Sequence, residues 1–132
     1  MFKKLVVKTT QKRELVDMTD QVEAAIAQSK TKDSLLCVFA KHTTCAVVIS
    51  ELEDDLAKDI LNYLEKESPK GPFRHSHAGI SHTPAHLLSA IIGQSATIPV
   101  KNSKIQLGTW QRICLLELDG PREREIIVQS LP

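Results

Sequence analysis

Four of the chain's five histidines fall within one short stretch, Phe73–His86. Imidazole is the residue chemistry most often used for metal binding and for proton transfer near neutral pH. His75, His77, His82 and His86 offer several geometries for a divalent ion. Three imidazoles would hold zinc and leave a fourth position open for catalysis. Their spacing matches no standard zinc motif, and four solvated loop histidines is the opposing reading. His86 carries a further hint. Thr83 suits an N-cap, Pro84 suits the first helical position, and Leu87, Leu88, Ile91 and Ile92 follow at helical spacing up to Gly93. The spacing predicts a helix over 84–92 with Gly93 at C′. His86 would then lie in the first turn, where the helix dipole disfavours the imidazolium. His75 and His77 lie upstream, in a loop with Gly71, Pro72 and Gly79.

Other stretches carry weaker chemical signals. His42-Thr43-Thr44 interrupts two apolar runs. A lone histidine in a strand connection is usually structural. The functional alternative places His42 at a sheet rim beside the histidine loop, with the Thr43 and Thr44 hydroxyls donating to a phosphate. Gly108-Thr109-Trp110-Gln111 contains the single Trp, either a core anchor or a pocket wall with an indole N–H donor. Asp119-Gly120-Pro121-Arg122-Glu123-Arg124 reads as a turn with two arginines. These are plain surface charge, or a guanidinium fork for phosphate or carboxylate. On the second reading, one arginine should be far less exposed than a surface arginine. Glu51, Glu53, Asp54 and Asp55 open a helical pattern, which dipole complementation explains without function. One of these carboxylates could instead orient a histidine.

The elements that would position these residues follow from periodicity. Phe2–Lys8 reads as a strand, 9–13 as a polar turn, and Glu14–Asp17 as a returning strand. Asp20 and Glu23 mark a helix start, and Val22, Ala25, Ile26 and Ser29 give a helix near 20–29 one face. Leu35–Ala40 lacks alternation and reads as a strand buried on both faces; Cys45–Ile49 is another strand. Ser50 and Glu53 form a capping box for a helix reaching about residue 66, with Leu52, Leu56, Ile60, Leu61 and Leu64 on its apolar face. After the histidine region, strands are expected at 96–100, 105–107, 112–118 and 126–129. Few helices and many strands predict an α+β fold, with two sheets sharing a core and helices outside.

Composition sets the bounds. The chain has 132 residues, 42% hydrophobic and 25% charged, enough for one domain with a real core. A net charge of +1 argues against bulk nucleic-acid or membrane-surface binding. No apolar run nears the roughly 18 residues of a membrane span. Cys37, Cys45 and Cys114 are odd in number and form no CxxC, so reduced thiols and a cytoplasmic location are expected.

Taken together these motifs resemble the YjbQ family, also known as secondary thiamine-phosphate synthases, over nearly the whole chain. The resemblance rests on His42-Thr43-Thr44 with Glu51 shortly after, Arg74-His75, Ala85-His86-Leu87 with Gly93, and Pro99-Val100. It rests most specifically on Leu107-Gly108-Thr109-Trp110-Gln111 and Asp119-Gly120-Pro121-Arg122 with Arg124. The family implies a small α+β fold with a two-sheet β-sandwich and flanking helices, assembled as a homotrimer. It also implies a pocket whose matching histidines are His42, His75 and His86. The chain departs from the family pattern in three places. Ser50-Glu51 stands for Asn-Glu, Glu53-Asp54-Asp55 stands where an Asp-Pro often follows, and His82 stands for an Asn.

The expectations are therefore a single domain over 1–132 and a trimeric enzyme with a metal- and phosphate-binding pocket. His42, Glu51, His75 and His86 are the catalytic candidates. Thr43, Thr44, Trp110, Gln111 and Arg122 are the substrate- or phosphate-binding candidates. His42, His75 and His86, from three separate segments, are the expected ligands of one divalent ion, zinc ahead of magnesium, with His82 at most an outer partner. The activity implied by the resemblance is a weak thiamine-phosphate synthase, a transferase acting on a small phosphorylated substrate. The alternatives are a metal-dependent hydrolase of a phosphorylated or acyl substrate and a non-catalytic metal- or ligand-binding trimer.

Overall fold

The computed structural model describes residues 1–132. Its elements in the first half are β1 (Phe2–Lys8), β2 (Glu14–Asp17), α1 (Thr19–Ser29), β3 (Ser34–Ala40), β4 (Cys45–Ser50) and α2 (Asp54–Glu67). Then come α3 (His82–Ile92), β5 (Ser95–Lys101), β6 (Lys104–Ile105), β7 (Arg112–Glu117) and β8 (Glu123–Leu131). The strands form two antiparallel sheets, one of five strands in the order β1-β8-β3-β5-β6 and one of three in the order β2-β7-β4. The α+β sandwich expected from the sequence is the observed fold.

Strands that are close in sequence often belong to different sheets. β1 and β2 do not form a hairpin; β1 pairs with β8 and β2 with β7. β3 and β4 are split the same way, so the His42 connection crosses between sheets instead of turning within one. Val7, Leu36, Val38, Ile98 and Val128 of the large sheet pack against Val47, Ile113 and Leu115 of the small one. Val22, Ala25 and Ile26 of α1 join this core. The other face of the small sheet, including Ala46 and Leu116, is covered by Ala85, Leu88 and Ile92 of α3 and by Leu61 and Leu64 of α2.

β3 is not buried on both faces within one chain. Leu36, Val38 and Ala40 point inward, while Leu35 is 55% and Phe39 40% exposed. A continuous apolar run does predict burial on two sides, and here the second side faces outward from the chain. Helix starts also differ from expectation. Glu53, not Ser50, caps α2 by accepting from the Asp55 and Leu56 amides. The Ser50 hydroxyl donates instead to the Glu51 carbonyl. α3 begins at His82, so Thr83 lies inside it, and the Thr83 hydroxyl donates to the His75 carbonyl. That bond ties the histidine loop to the helix. Gly93 ends α3 with φ 101°, a conformation that suits glycine.

The turn between β7 and β8 is packed tightly. A Cβ added at Gly120 would overlap the Gln11 carbonyl oxygen and approach Glu117 Cγ to 2.8 Å and Thr9 Oγ1 to 2.9 Å. Backbone atoms on the Gln11 side cannot step aside cheaply. Gly120→Ala should cost about 3 kcal/mol or more, read as a lowered urea midpoint. A midpoint within error of wild type would show that this turn has slack.

Candidate functional site

The end of the small sheet where β4 begins and β7 ends carries most of the chemistry. Register fixes this: Cys45 pairs with Glu117, and Ser50 with Arg112 at the opposite end. Thr44, Glu117 and Asp119 therefore share one pole. α3 delivers His82 and His86 to the same pole, four residues apart and so on one helix face. The loop anchored by Thr83 brings His75 over them.

The ligand atoms of His75, His82 and His86 all lie within 4.8 Å of one another. His82 Nε2 and His86 Nε2 are 3.0 Å apart. The rings of His75 and His82 are stacked, with centroids 5.2 Å apart, and His75 meets His86 edge-on at 5.0 Å. Asp119 stands behind His82, its Oδ2 accepting from Nδ1 at 3.0 Å. Lys12 and Arg122 hold the same carboxylate. Burial would raise the Asp119 pKa, but the hydrogen bonds of Lys12, His82 and Arg122 win and bring it down to about 2. An ionised carboxylate can only accept, so Nδ1 of His82 carries a proton, and Nε2 is the ring nitrogen turned toward His86 and the pocket. Partial loss of hydration, and then the imidazoles of His77, His86 and His82, lower the pKa of His75 and favour its neutral form.

His42 is placed differently from the expected ligand role. Its Nε2 accepts the Glu125 backbone N–H at 2.8 Å. A neutral imidazole has one lone-pair nitrogen, and here that nitrogen accepts from Glu125, so Nδ1 is an N–H donor and His42 stands apart from the three converging histidines. Burial, followed by the charge of Arg124, lowers the His42 pKa and keeps the ring neutral. The set of three gathered by the fold therefore contains His82 in place of His42. The sequence holds a signal for this, the i,i+4 spacing of His82 and His86. It is obscured by a helix start expected two residues late.

Beside the histidines is a wholly polar cavity of about 350 Å³, walled by His82 and His86 on one side and by His42, Thr43, Thr44 and Arg122 on the other. Lys41 and Arg124 complete it. Arg124 is only 2% exposed, as expected of one of the two turn arginines if it held a carboxylate. It makes an ion pair with fully buried Glu117 and donates to the Thr44 carbonyl and hydroxyl at 3.0 Å each. Arg122 stays half-exposed; its Nε and Nη2 bond to Asp119.

Glu51, Trp110 and Gln111 are not brought to this pole. They flank Ser50 and Arg112, at the far end of β4 and β7, and the strand between the two ends spans about 17 Å. Trp110 is 71% exposed, so it is neither the core anchor nor, within one chain, a wall of the histidine pocket. The Gln111 carboxamide accepts the Gly108 N–H at 2.7 Å and closes its own loop. Cys45 and Cys114 are buried, and that burial raises each thiol pKa to about 11, which makes them poor nucleophiles. No helix is long and apolar enough to cross a membrane.

These features define a class of small α+β sandwich with a histidine-lined pole. The chain belongs to the YjbQ family: the sequence profile of the UPF0047 protein YjbQ-like family matches residues 3–132. A UPF0047 protein of Archaeoglobus fulgidus is 44% identical over 128 residues, 96% of this chain and 98% of that protein. The UPF0047 protein YugU of Bacillus subtilis is 33% identical over 132 residues, 99% of each chain. The fold matches the crystal structure of a YbjQ-like protein of unknown function from Sulfolobus solfataricus with a TM-score of 0.92 and 38% identity, covering 98% of this chain and 95% of that one. A hypothetical protein from Aeropyrum pernix K1 matches with a TM-score of 0.92 and 37% identity, covering 99% and 98%.

Proposed function

We propose that the chain is a metal-dependent enzyme acting on a small phosphorylated substrate, with His75, His82 and His86 as the metal ligands. The carrying observation is the convergence of three imidazole donors within 4.8 Å, one of them held by an ionised carboxylate. The donor set fits zinc. Zn–N bonds of about 2.0–2.1 Å in a tetrahedron put ligand nitrogens about 3.3 Å apart, close to the His82–His86 separation of 3.0 Å. Three imidazole nitrogens with no carboxylate ligand favour zinc over magnesium. A zinc ion held by these three would supply Lewis-acid chemistry at the site. The chain's own part is to hold the phosphate: Thr43 and His42 as donors, Arg122 and Lys41 as charges.

Hydrolysis of a phosphate ester is better supported than diphosphate displacement in a synthase. The two carboxylates at this pole are already engaged, Glu117 by Arg124 and Asp119 by Lys12, Arg122 and His82. No free acidic pair is left to carry magnesium-diphosphate. The test is zinc titration of chelator-treated protein, followed by assay of p-nitrophenyl phosphate. One zinc per chain and zinc-dependent release of phosphate are expected. Failure to bind zinc ends the proposal.

The reading includes a homotrimer. Phe2, Val6, Leu35, Phe39 and Leu131, each 40–57% exposed, all lie on the outer face of the five-stranded sheet. An apolar face of this extent supports a subunit interface. In a closed ring of three, unlike surfaces meet, which is the one way Glu51, Trp110 and Gln111 could reach a histidine pole, that of a neighbour. Light scattering should give three times the 14.7 kDa chain mass. Phe39→Glu, at a position not packed in the chain's own core, should reduce it to one. A wild-type monomer at micromolar concentration contradicts the trimer.

A further inference from the structure

The three histidines stand as a wall between two cavities of opposite chemistry. On one side lies the polar cavity, with no hydrophobic residue in its lining. On the other is an open hollow of about 530 Å³ bordered by Pro72, Phe73, His75 and Ile80. A shallower hollow of about 250 Å³ between His75, His86 and Leu87 shares His75 and Thr83 with it. Ile80 is 95% exposed and Leu87 38%, and neither belongs to the chain's hydrophobic cores. Their exposure has no explanation in folding.

The polar side offers donors that the protein leaves free. The Glu125 N–H donates to Nε2 of His42, which leaves the Nδ1 side of the ring for the cavity. Arg122 uses Nε and Nη2 on Asp119, which leaves Nη1. The Thr43 hydroxyl makes no protein hydrogen bond, and Lys41, loosely paired with the Glu125 carboxylate at 3.7 Å, adds a charge. Free donors from three separate side chains, with the Lys41 charge beside them, suit the three free oxygens of a phosphomonoester better than a two-oxygen carboxylate. The ester oxygen would then lie at the histidine wall, and whatever it carries would pass to the other side. There the rings of Pro72, Phe73 and His75 and the aliphatic Ile80 and Leu87 suit a flat apolar group.

We propose that the substrate is a phosphomonoester of a ring-bearing, apolar alcohol. Its phosphate binds in the His42–Thr43–Arg122 cavity and its ring lies against Phe73, Ile80 and Leu87. This rests on the three-histidine reading of the site and adds the identity of both ends of the ligand. The test is calorimetric binding to zinc-loaded protein of three probes: inorganic phosphate, glycerol phosphate and phenyl phosphate. Phenyl phosphate should bind about tenfold or more tightly than the other two, from burial of its ring. Ile80→Ser combined with Leu87→Ser should bring that preference within about threefold while leaving inorganic phosphate affinity unchanged. An unchanged melting temperature shows that this double variant is folded. Arg122→Gln should weaken all three probes together. Equal affinities for phenyl and glycerol phosphate, or a ring preference that survives the double substitution, overturns the proposal. Zinc uptake without ring preference overturns this inference alone. Absence of zinc uptake overturns the reading beneath it, and this inference with it.

Discussion

Arg124→Ala should destabilise the fold by about 3–5 kcal/mol, because it leaves a buried carboxylate without its cation. Glu117 is fully buried, and its only cationic partner is Arg124, itself 2% exposed. The Thr44 carbonyl and hydroxyl lose donors in the same step. Burial by itself would raise the Glu117 pKa, but the hydrogen bonds of Arg124 and Thr9, with the charge of Arg124, hold it below the ordinary glutamate value. The sign follows from that direction. A depressed folded-state pKa contributes stability that is present above the unfolded-state pKa and is lost as the pH falls through the folded one. The gap between wild type and Arg124→Ala should thus be widest near neutrality and shrink in acid. Urea unfolding at neutral and acidic pH measures both parts. A loss under about 1 kcal/mol at neutral pH would mean that water reaches Glu117. Replacing both residues by apolar ones, Arg124→Met with Glu117→Leu, should recover much of the loss.

That ion pair also shows what the sequence could and could not reveal. The Asp-Gly-Pro turn lets one of its two arginines be buried without saying which; the pairing of β4 with β7 sets Thr44 near Glu117, and β8 of the other sheet brings Arg124 onto both. Strand positions were legible because alternation and apolar runs are local properties, and β1, β2 and β4 begin where the pattern says. Sheet membership was not. Whether Thr9–Arg13 turns back or crosses over depends on which partner strand is nearest in space, and β8, more than a hundred residues away, takes β1. Capping was the other weak point. Ser50 and Thr83 have the right chemistry for N-caps, yet the hydroxyls bond to the Glu51 and His75 carbonyls. Short polar side chains have several backbone groups in reach, and tertiary contacts choose among them.

For the site, the sequence locates the histidine-rich region but not which three imidazoles the fold gathers. His42 has the merit of coming from a separate segment, and the family resemblance points to it and away from His82. What sets it apart from the converging three is a single backbone amide, Glu125 N–H, a group that sequence cannot place. The same crossing connection carries His42 to this pole, where it lines the polar cavity. Asp119 is legible only as a turn residue until His82 is seen beside it. Trp110, Gln111 and Glu51 are read as site residues by family motif, and register sends them to the other end of the sheet.

On the proposed ligand set, zinc affinity should fall by about a hundredfold or more in His82→Ala and in His86→Ala, since each would lose one of three direct ligands. His75→Ala should behave likewise. His77→Ala should stay within about threefold, because His77 is not among the converging donors although its ring lies 4.2 Å from that of His75. His42→Ala should also keep zinc, since its lone pair is spent on Glu125, but it should weaken phosphate binding by the loss of one donor. Asp119→Asn falls between these limits. It removes the charge that holds Nδ1–H of His82 and should reduce zinc affinity about 10–100-fold. The measurement is competition titration with a chromophoric chelator. Cobalt absorption can serve as a second readout of ligand geometry, and melting curves confirm that each variant is folded. The pattern across the series carries the argument. If His42→Ala abolishes zinc binding while His82→Ala retains it, the ligands are His42, His75 and His86, and the geometry described here is not that of the metal-loaded protein. If His82→Ala and His86→Ala lose zinc and His42→Ala does not, the helix face that carries two imidazoles one turn apart is the core of the site.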